Sequence, residues 1–196
     1  MSRQPWVLAS GNTGKLVELT ALLGDQPVRP QSDYQIDSIA ETGLTFVENA
    51  LLKARHAAQH TGLPALADDS GLAVDALNGA PGLYSARYAG AGQDSAANNR
   101  KLLQMMRQVP DAARTAQYHC VIVLLRYATD PVPLICQGRW AGCILRTPRG
   151  RGGFGYDPLF WVDSEQASAA ELTPERKHQL SHRGEALRQL LAAIQS

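Results

Sequence analysis

The stretch Trp6-Val7-Leu8-Ala9-Ser10-Gly11-Asn12-Thr13-Gly14-Lys15 decides how the chain is read. Trp6 to Ala9 reads as a short buried strand, and a glycine-containing loop follows at once. Lys15 to Leu23 then reads as a helix, with Leu16, Leu19, Leu22 and Leu23 on one face and Gly24 as its stop. Strand, glycine loop, lysine and helix make a layout that binds phosphate. Loop N–H groups and the helix N-terminus face an anion, and glycines let the backbone approach it. Lys15 adds a mobile charge and Asn12 an amide donor. The loop is not a Walker A motif, because only two residues separate Gly11 from Gly14 and Leu16 stands where the Mg²⁺-holding hydroxyl would be. The same ten residues also describe an ordinary strand-to-helix turn that uses glycine for positive φ. The stretch alone leaves both readings open.

Outward from the loop, period-2 and helical patterns alternate, which points to an α/β fold with a mixed sheet flanked by helices. Residues 34–39 are expected to form a short strand. Thr45 and Glu48 make a capping box for a helix whose apolar stripe is Val47, Ala50, Leu51, Ala54, Ala57 and Ala58, ended by Gly62 and Pro64. Residues 65–67 and 72–76 read as two strands around an Asp68-Asp69-Ser70-Gly71 turn. A glycine- and alanine-rich loop over 79–93 leads to a helix over 95–107. Residues 117–128 read as a long strand with two covered faces, and 133–146 supply one or two more. Residues 149–156 are a loop, and 159–162 a strand. A helix begins at Thr173-Pro174, breaks at Ser181, and is followed by one with the stripe Leu187, Leu190, Leu191 and Ile194.

Two carboxylates side by side repel, so Asp68 and Asp69 invite a reason. Mg²⁺ binding is one, since that ion takes one or two carboxylates plus water and phosphate oxygens. A general base for an attacking water is another. Plain turn chemistry, with each side chain bonding its own backbone, is a third. Glu41 precedes a glycine just before the capped helix, and Lys53 lies on that helix's polar side. In Gly152-Gly153-Phe154-Gly155-Tyr156-Asp157-Pro158, glycines surround two aromatics and a carboxylate. That suits a wall against which a planar base stacks, worth ~1–3 kcal/mol per base. It also suits a loop anchored by its aromatics, as Phe160 and Trp161 further on suggest.

Bulk composition narrows the classes. The 196 residues are 44% hydrophobic, enough for one sizeable domain spanning 1–196 without staples. Nineteen basic and 18 acidic side chains leave a net charge of +1, which argues against life on a nucleic-acid backbone but not against a small anionic ligand. Cys120, Cys136 and Cys143 form no C-x-x-C pair and read as reduced strand residues. Neither a signal peptide nor an apolar run long enough to span a bilayer is seen, so a soluble, cytoplasmic protein is expected, with no membrane partner.

Taken together, the segments resemble the inosine/xanthosine triphosphate pyrophosphatases. They are S-G-N-T-G-K (10–15), E-T-G-x-T-F-x-E-N-A-x-x-K-A (41–54), A-D-D-S-G-L (67–72), G-A-P-G-x-Y-S-A-R-Y (79–88), G-G-F-G-Y-D-P-x-F (152–160), and E-L-T-x-E-x-K followed by S-H-R-G (171–177 and 181–184). The segments run in family order over almost the whole chain, and departures fall mainly in 89–97 and at Thr13. The resemblance implies two lobes with the active site in the cleft between them, a homodimer, and Mg²⁺ as cofactor. It implies that Ser10, Gly11, Asn12, Thr13, Gly14 and Lys15 bind phosphates, and that Glu41 and Asp69 hold the metal. Asp69 would be the base with Asp68 in support, and Ser70 would touch substrate. Lys53 and Lys177 would neutralise the triphosphate. Phe154, Gly155, Tyr156, Asp157, His182 and Arg183 would form the purine pocket. The implied reaction turns deaminated purine triphosphates (ITP, dITP, XTP) into monophosphate and pyrophosphate. A Maf-like pyrophosphatase would share the general fold, but its motifs are not found. A sensing module without catalysis fits poorly with an acidic cluster beside a phosphate loop.

Overall fold

The computed structural model describes residues 4–90 and 94–195. Residues 91–93, part of the loop read over 79–93, lie outside it. Seven strands form one mixed sheet in the order β2-β1-β3-β4-β5-β6-β7. They are β1 (Trp6–Leu8), β2 (Val28–Pro30), β3 (Ala65–Val74), β4 (Thr115–Leu125), β5 (Leu134–Ile144), β6 (Phe160–Val162) and β7 (Ala167–Ser168). The β1 strand pairs in parallel with β2 and β3, while β5–β6 and β6–β7 are antiparallel. The helices are α1 (Thr13–Leu23), α2 (Phe46–Thr61), α3 (Ser95–Met105), α4 (Pro174–Leu180) and α5 (His182–Gln195).

The chain divides into two compact units, and β3, β4 and β5 each contribute to both. The first unit holds residues up to Asp69, Cys120–Gly138 and Arg183 onward. Alternation along its strands sends side chains to two cores. Val7, Ala9, Ala65, Ala67, Val121 and Val123 meet Ala50, Ala54, Ala57 and Ala58 of α2. Leu8, Leu66, Cys120 and Ile122 meet Leu19 and Leu23 of α1 with Ala186, Leu187 and Leu190 of α5. Strand β1 and the first-unit parts of β3 and β4 are therefore covered on both faces, and apart from Asp68 and Asp69 their alternating positions are filled by apolar residues. The second unit, Ser70–His119 and Arg139–His182, has one core. There Leu72, Val74, Tyr118, Trp140, Ile144 and Phe160 pack with Leu102 and Met106.

The helix boundaries follow their caps. Thr45 Oγ1 accepts from the Glu48 N–H, and Glu48 carboxylate oxygen Oε2 accepts from the Leu44 N–H, so the box closes one residue before the cap. Gly62, at φ +67, ends α2 in the left-handed region. Thr173 caps α4, and Ser181 interrupts the chain before α5. Residues 133–146 contain one strand, β5.

Two expectations are corrected. Residues 34–39 are not a strand. Gln31–Tyr34 forms a 3₁₀ turn and Gln35 turns left-handed at φ 58, while the strand of this region is β2, directly before the turn. A proline closes β2, which its edge position permits. The second correction concerns Asp68-Asp69-Ser70-Gly71, which is no turn: it runs straight through the middle of the ten-residue β3.

Candidate active site

That last correction builds the site. In an extended strand, successive side chains point to opposite faces. Asp68 therefore shares the face of Leu66, with α1 and α5, and Asp69 shares the face of Ala65 and Ala67, with α2. Repulsion between the neighbours is relieved by pointing them apart and giving each its own cations.

On the first face, Asp68 Oδ2 lies 3.0 Å from Lys15 Nζ and 3.4 Å from Arg183 Nη2. Arg183 Nη1 is also paired with Glu18 of α1. Asp68 is almost wholly buried, and its Oδ1 has no hydrogen-bond partner. Burial alone would raise its pKa, but Lys15, Arg183 and Lys53 outweigh burial and hold the carboxyl well below the usual range. The charged form of Asp68 is thus the favoured one. Nearby, burial pushes the Cys120 thiol up to about 12. All three cysteines are free thiols, as expected.

On the second face, Lys53 Nζ stands 2.9 Å from Glu41 Oε1 and 2.9 Å from Asp69 Oδ1. Asn49 Nδ2 donates to the other oxygen of Asp69 at 3.3 Å. Burial pushes the Asp69 carboxyl up by more than Lys53 and Lys15 bring it down, so its pKa is raised. Burial works to lower Lys53, yet Asp69, Asp68 and Glu41 together raise it, and the ammonium keeps its proton. Two adjacent carboxyls with pKa values pushed in opposite directions are an arrangement suited to acid–base division of labour.

Asn49 was not singled out from the sequence. Its Oδ1 accepts from the Gly43 N–H at 2.8 Å, so one buried amide ties the segment carrying Glu41 to Asp69. A Cβ on Gly43 would come within 2.7 Å of Asn49 Oδ1, so a side chain there would break the tie. The available signal was a polar residue beside the alanine stripe of α2. Glu18, the second partner of Arg183, gave no signal beyond a helix acid.

The phosphate-type loop is ordered by its own side chains. Asn12 caps α1, its carbonyl accepting from Lys15 N–H at 3.1 Å, and Ser10 Oγ accepts from Asn12 N–H at 3.2 Å. Asn12 thus spends its carbonyl on the helix, leaving its NH₂ end as the donor the sequence assigned to it. The helix begins at Thr13, two residues before the expected start, so Gly14 lies in its first turn. Neither Gly11 nor Gly14 has positive φ, so backbone strain does not explain them. Their bare Cα atoms instead leave the N–H groups of a helix start approachable, as an anion requires.

In the second unit, Asp157 Oδ2 accepts from Phe154 N–H at 2.8 Å and pairs with Lys177 Nζ at 2.7 Å. Lys177 also lies 4.7 Å from the Phe154 ring centre. Gly153 leaves space for Asp157, since a Cβ there would fall 2.1 Å from Oδ2. Tyr156 is buried and donates its hydroxyl to Ser85 O at 2.8 Å. The His182 ring stacks on Tyr118, with centroids 4.7 Å apart and planes 5° from parallel. His182 and Arg183 are neighbours in sequence, but the described contacts of His182 are with the aromatic core of the second unit, and those of Arg183 are with Glu18 and Asp68 of the first. Ser70 sits next to Asp69 on β3, partly buried.

The fold and this site together define an α/β protein in which the lysine of a helix-capping phosphate-type loop pairs with one of two adjacent carboxylates in contrasting environments. The family model described as the Ham1 family matches residues 6–193, and the chain belongs to that family. A dITP/XTP pyrophosphatase of Shigella flexneri is 58% identical, with 98% of this chain and 99% of that protein covered. The dITP/XTP pyrophosphatase of Escherichia coli strain K12 shows the same identity and coverage. Among solved structures, a HAM1 protein from Coxiella burnetii superposes with a TM-score of 0.90 at 52% identity, covering 98% of each chain. The Staphylococcus aureus Ham1 protein gives 0.87 at 39% identity, again covering 98% of each. Among the described residues, no helix is long and apolar enough to cross a membrane.

Proposed function

We propose that the chain is a nucleoside triphosphate pyrophosphatase, a hydrolase of phosphoanhydride bonds. In this reading it converts ITP, dITP and XTP to the monophosphate and pyrophosphate and so keeps deaminated purines out of DNA and RNA. The observation that carries it is the opposed pKa displacement of Asp68 and Asp69 on one strand, next to a loop built for phosphate. The relatives named dITP/XTP pyrophosphatase, at 58% identity over nearly the whole chain, support the substrate class.

In this mechanism Ser10 to Lys15 hold the triphosphate through backbone N–H groups, the Asn12 amide and the Lys15 ammonium. Asp69 orients an attacking water and takes its proton. The water oxygen bonds to the α-phosphorus, and the bond from that phosphorus to the α–β bridging oxygen breaks. Pyrophosphate carries away the electron pair, with Lys15 and Lys53 balancing its charge. Asp68 stays ionised and holds Lys15 and Arg183 in place. Mg²⁺ is the proposed cofactor, and Glu41 and Asp69 would hold it. Their oxygens already converge on a single cation, the Lys53 ammonium, and a pair of hard carboxylate donors suits an ion that takes its remaining ligands from water and phosphate. When bound, Mg²⁺ supplies charge stabilisation on the phosphate oxygens.

Phe154 and Gly155 receive the purine, with Tyr156, Asp157 and Lys177 fixing the loop and Ser70 touching substrate. His182 and Arg183 are the proposed donors to the 6-oxo oxygen of a deaminated purine. ATP presents an NH₂ group there and leaves the donors unpaired, a mismatch that sites reject strongly. The protein acts in the cytoplasm as a homodimer and binds neither nucleic acid nor membrane.

The test is a release assay over a panel of NTPs and dNTPs, with and without Mg²⁺. Pyrophosphate from ITP, dITP and XTP is expected, and only with the metal. Orthophosphate as the first product would sink the mechanism.

A further inference from the structure

The loop assigned to the base is tied down at three consecutive residues, once by its own Asp157 and twice from elsewhere in the chain. Phe154 is held through its N–H by Asp157, Gly155 through its carbonyl by Asn99 Nδ2 at 3.0 Å, and Tyr156 through its hydroxyl by Ser85. Two of these ties belong to the core, because Asp157 and Tyr156 are buried. The third reaches out from α3 and differs in kind.

Asn99 has a neighbour that serves as a control. Asn98 is buried and uses both ends of its amide: Oδ1 accepts from Ala89 N–H at 2.7 Å and Nδ2 donates to Ala86 O at 3.0 Å. That is how an amide with a purely structural task behaves. Asn99 makes the single bond to Gly155, and its buried Oδ1 has no hydrogen-bond partner. An acceptor left unsatisfied in the interior is unfavourable, so the side chain is poorly explained by fold stability. Its amide has one evident task, to fix the peptide between Gly155 and Tyr156. Gly155 stands at φ +62 and has no side chain of its own to hold that peptide.

We infer that Asn99 is a positioning residue for purine recognition, holding the Gly155 carbonyl so that Phe154 and Gly155 present one fixed surface to the base. The inference rests on the proposed placement of the purine at Phe154–Asp157. Holding a binding loop in its bound shape acts on affinity and leaves the bond-breaking step unchanged. Asn99 therefore affects KM and not kcat, and it affects the base end of the substrate and not the phosphate end.

The experiment uses the full chain with Mg²⁺ and compares Asn99→Ala, Asn99→Asp and Asn98→Ala with the unaltered protein. The readouts are KM and kcat for ITP, inhibition by inorganic tripolyphosphate, and melting temperature. Asn99→Ala should raise KM for ITP about 2- to 10-fold, the range of one hydrogen bond. Asn99→Asp keeps the volume but sets a carboxylate oxygen against the Gly155 carbonyl, and should raise KM further. For both, kcat and tripolyphosphate inhibition stay within about twofold, since neither reads the base contact. Asn98→Ala should instead lower the melting temperature and leave KM unmoved. The inference is overturned if both Asn99 variants keep the original KM, or if tripolyphosphate inhibition weakens in parallel with KM. If the unaltered protein releases no pyrophosphate from ITP, it is the proposed function that fails, and the two failures are told apart.

Discussion

Asp68 and Asp69 share a peptide bond, yet the two faces of β3 give them opposite chemistry. On the α1 and α5 face, a lysine and an arginine surround Asp68 and lock it as an anion. On the α2 face, Asp69 shares one ammonium with Glu41, and burial leaves its carboxyl raised. The strand pleat does the separating. Placed in a turn, the pair would sit in one environment and titrate against each other. Placed in a strand, one residue serves as counter-ion and its neighbour is available for proton transfer.

Removing each carboxylate in turn breaks the comparison most directly. Asp69→Asn should lower kcat for ITP by about 10²–10⁴, the range of general-base loss. Stability should not fall, because the substitution removes a carboxyl whose ionisation burial opposes. A variant with near-normal turnover at saturating Mg²⁺ would take the base role from Asp69. Asp68→Asn should do the reverse in emphasis. It strips a counter-ion from Arg183, whose side chain is only 2% exposed, and breaking a buried pair costs about 3 kcal/mol or more. For a chain of this size that is roughly 6–12 °C in melting temperature by calorimetry. If Asp68→Asn and Asp69→Asn lose equal stability, the two faces are not different in the way described.

Acid titration of the metal-free protein sharpens the same contrast. The folded pKa of Asp68 is depressed, so its stabilisation is present above its unfolded pKa, and is lost as pH falls through the folded value. The folded pKa of Asp69 is raised, so its contribution is full below the unfolded value and is lost as pH rises through the folded one. Melting curves from pH 3 to 7 in chelator should therefore diverge. Relative to the unaltered protein, Asp69→Asn should gain stability on going up in pH, and Asp68→Asn should lose it. Parallel curves would remove the assigned directions.

Much of this was legible in the sequence, and the part that was not has a physical cause. The α2 helix was readable because capping residues, alanine stripe and Gly62 act locally. The loop at 10–15 was readable because helix start and strand end adjoin it. The Asp-Asp-Ser-Gly segment was misread because its composition favours a turn, and only distant partners make it a strand. Lys15 of α1, Asn49 and Lys53 of α2, and Arg183 of α5 satisfy the carboxylates in mid-sheet. Strand preference depends on such tertiary surroundings, which a local window does not contain. The same limit hid Asn49 and Asn99, whose amides matter through single bonds to residues 20 and 56 positions away.

The smallest expected effect bears on how the Asp68 face is supplied with its cation. Lys15 reaches Asp68 from the first turn of α1, and that turn begins where the Asn12 carbonyl accepts the Lys15 N–H. Asn12→Ala removes the cap and should cost about 1 kcal/mol of stability. Asn12→Asp keeps an oxygen acceptor and favours the positive end of the helix, so it should restore that loss. It also replaces the outward NH₂ with a carboxylate, and a carboxylate repels a phosphate. The two substitutions therefore separate the two tasks of one side chain. Alanine should lower melting temperature and raise KM modestly, whereas aspartate should recover the melting temperature while raising KM for ITP further. If aspartate recovered both, the Asn12 NH₂ would have no part in phosphate binding, and the loop would hold its anion through backbone N–H groups and Lys15 alone.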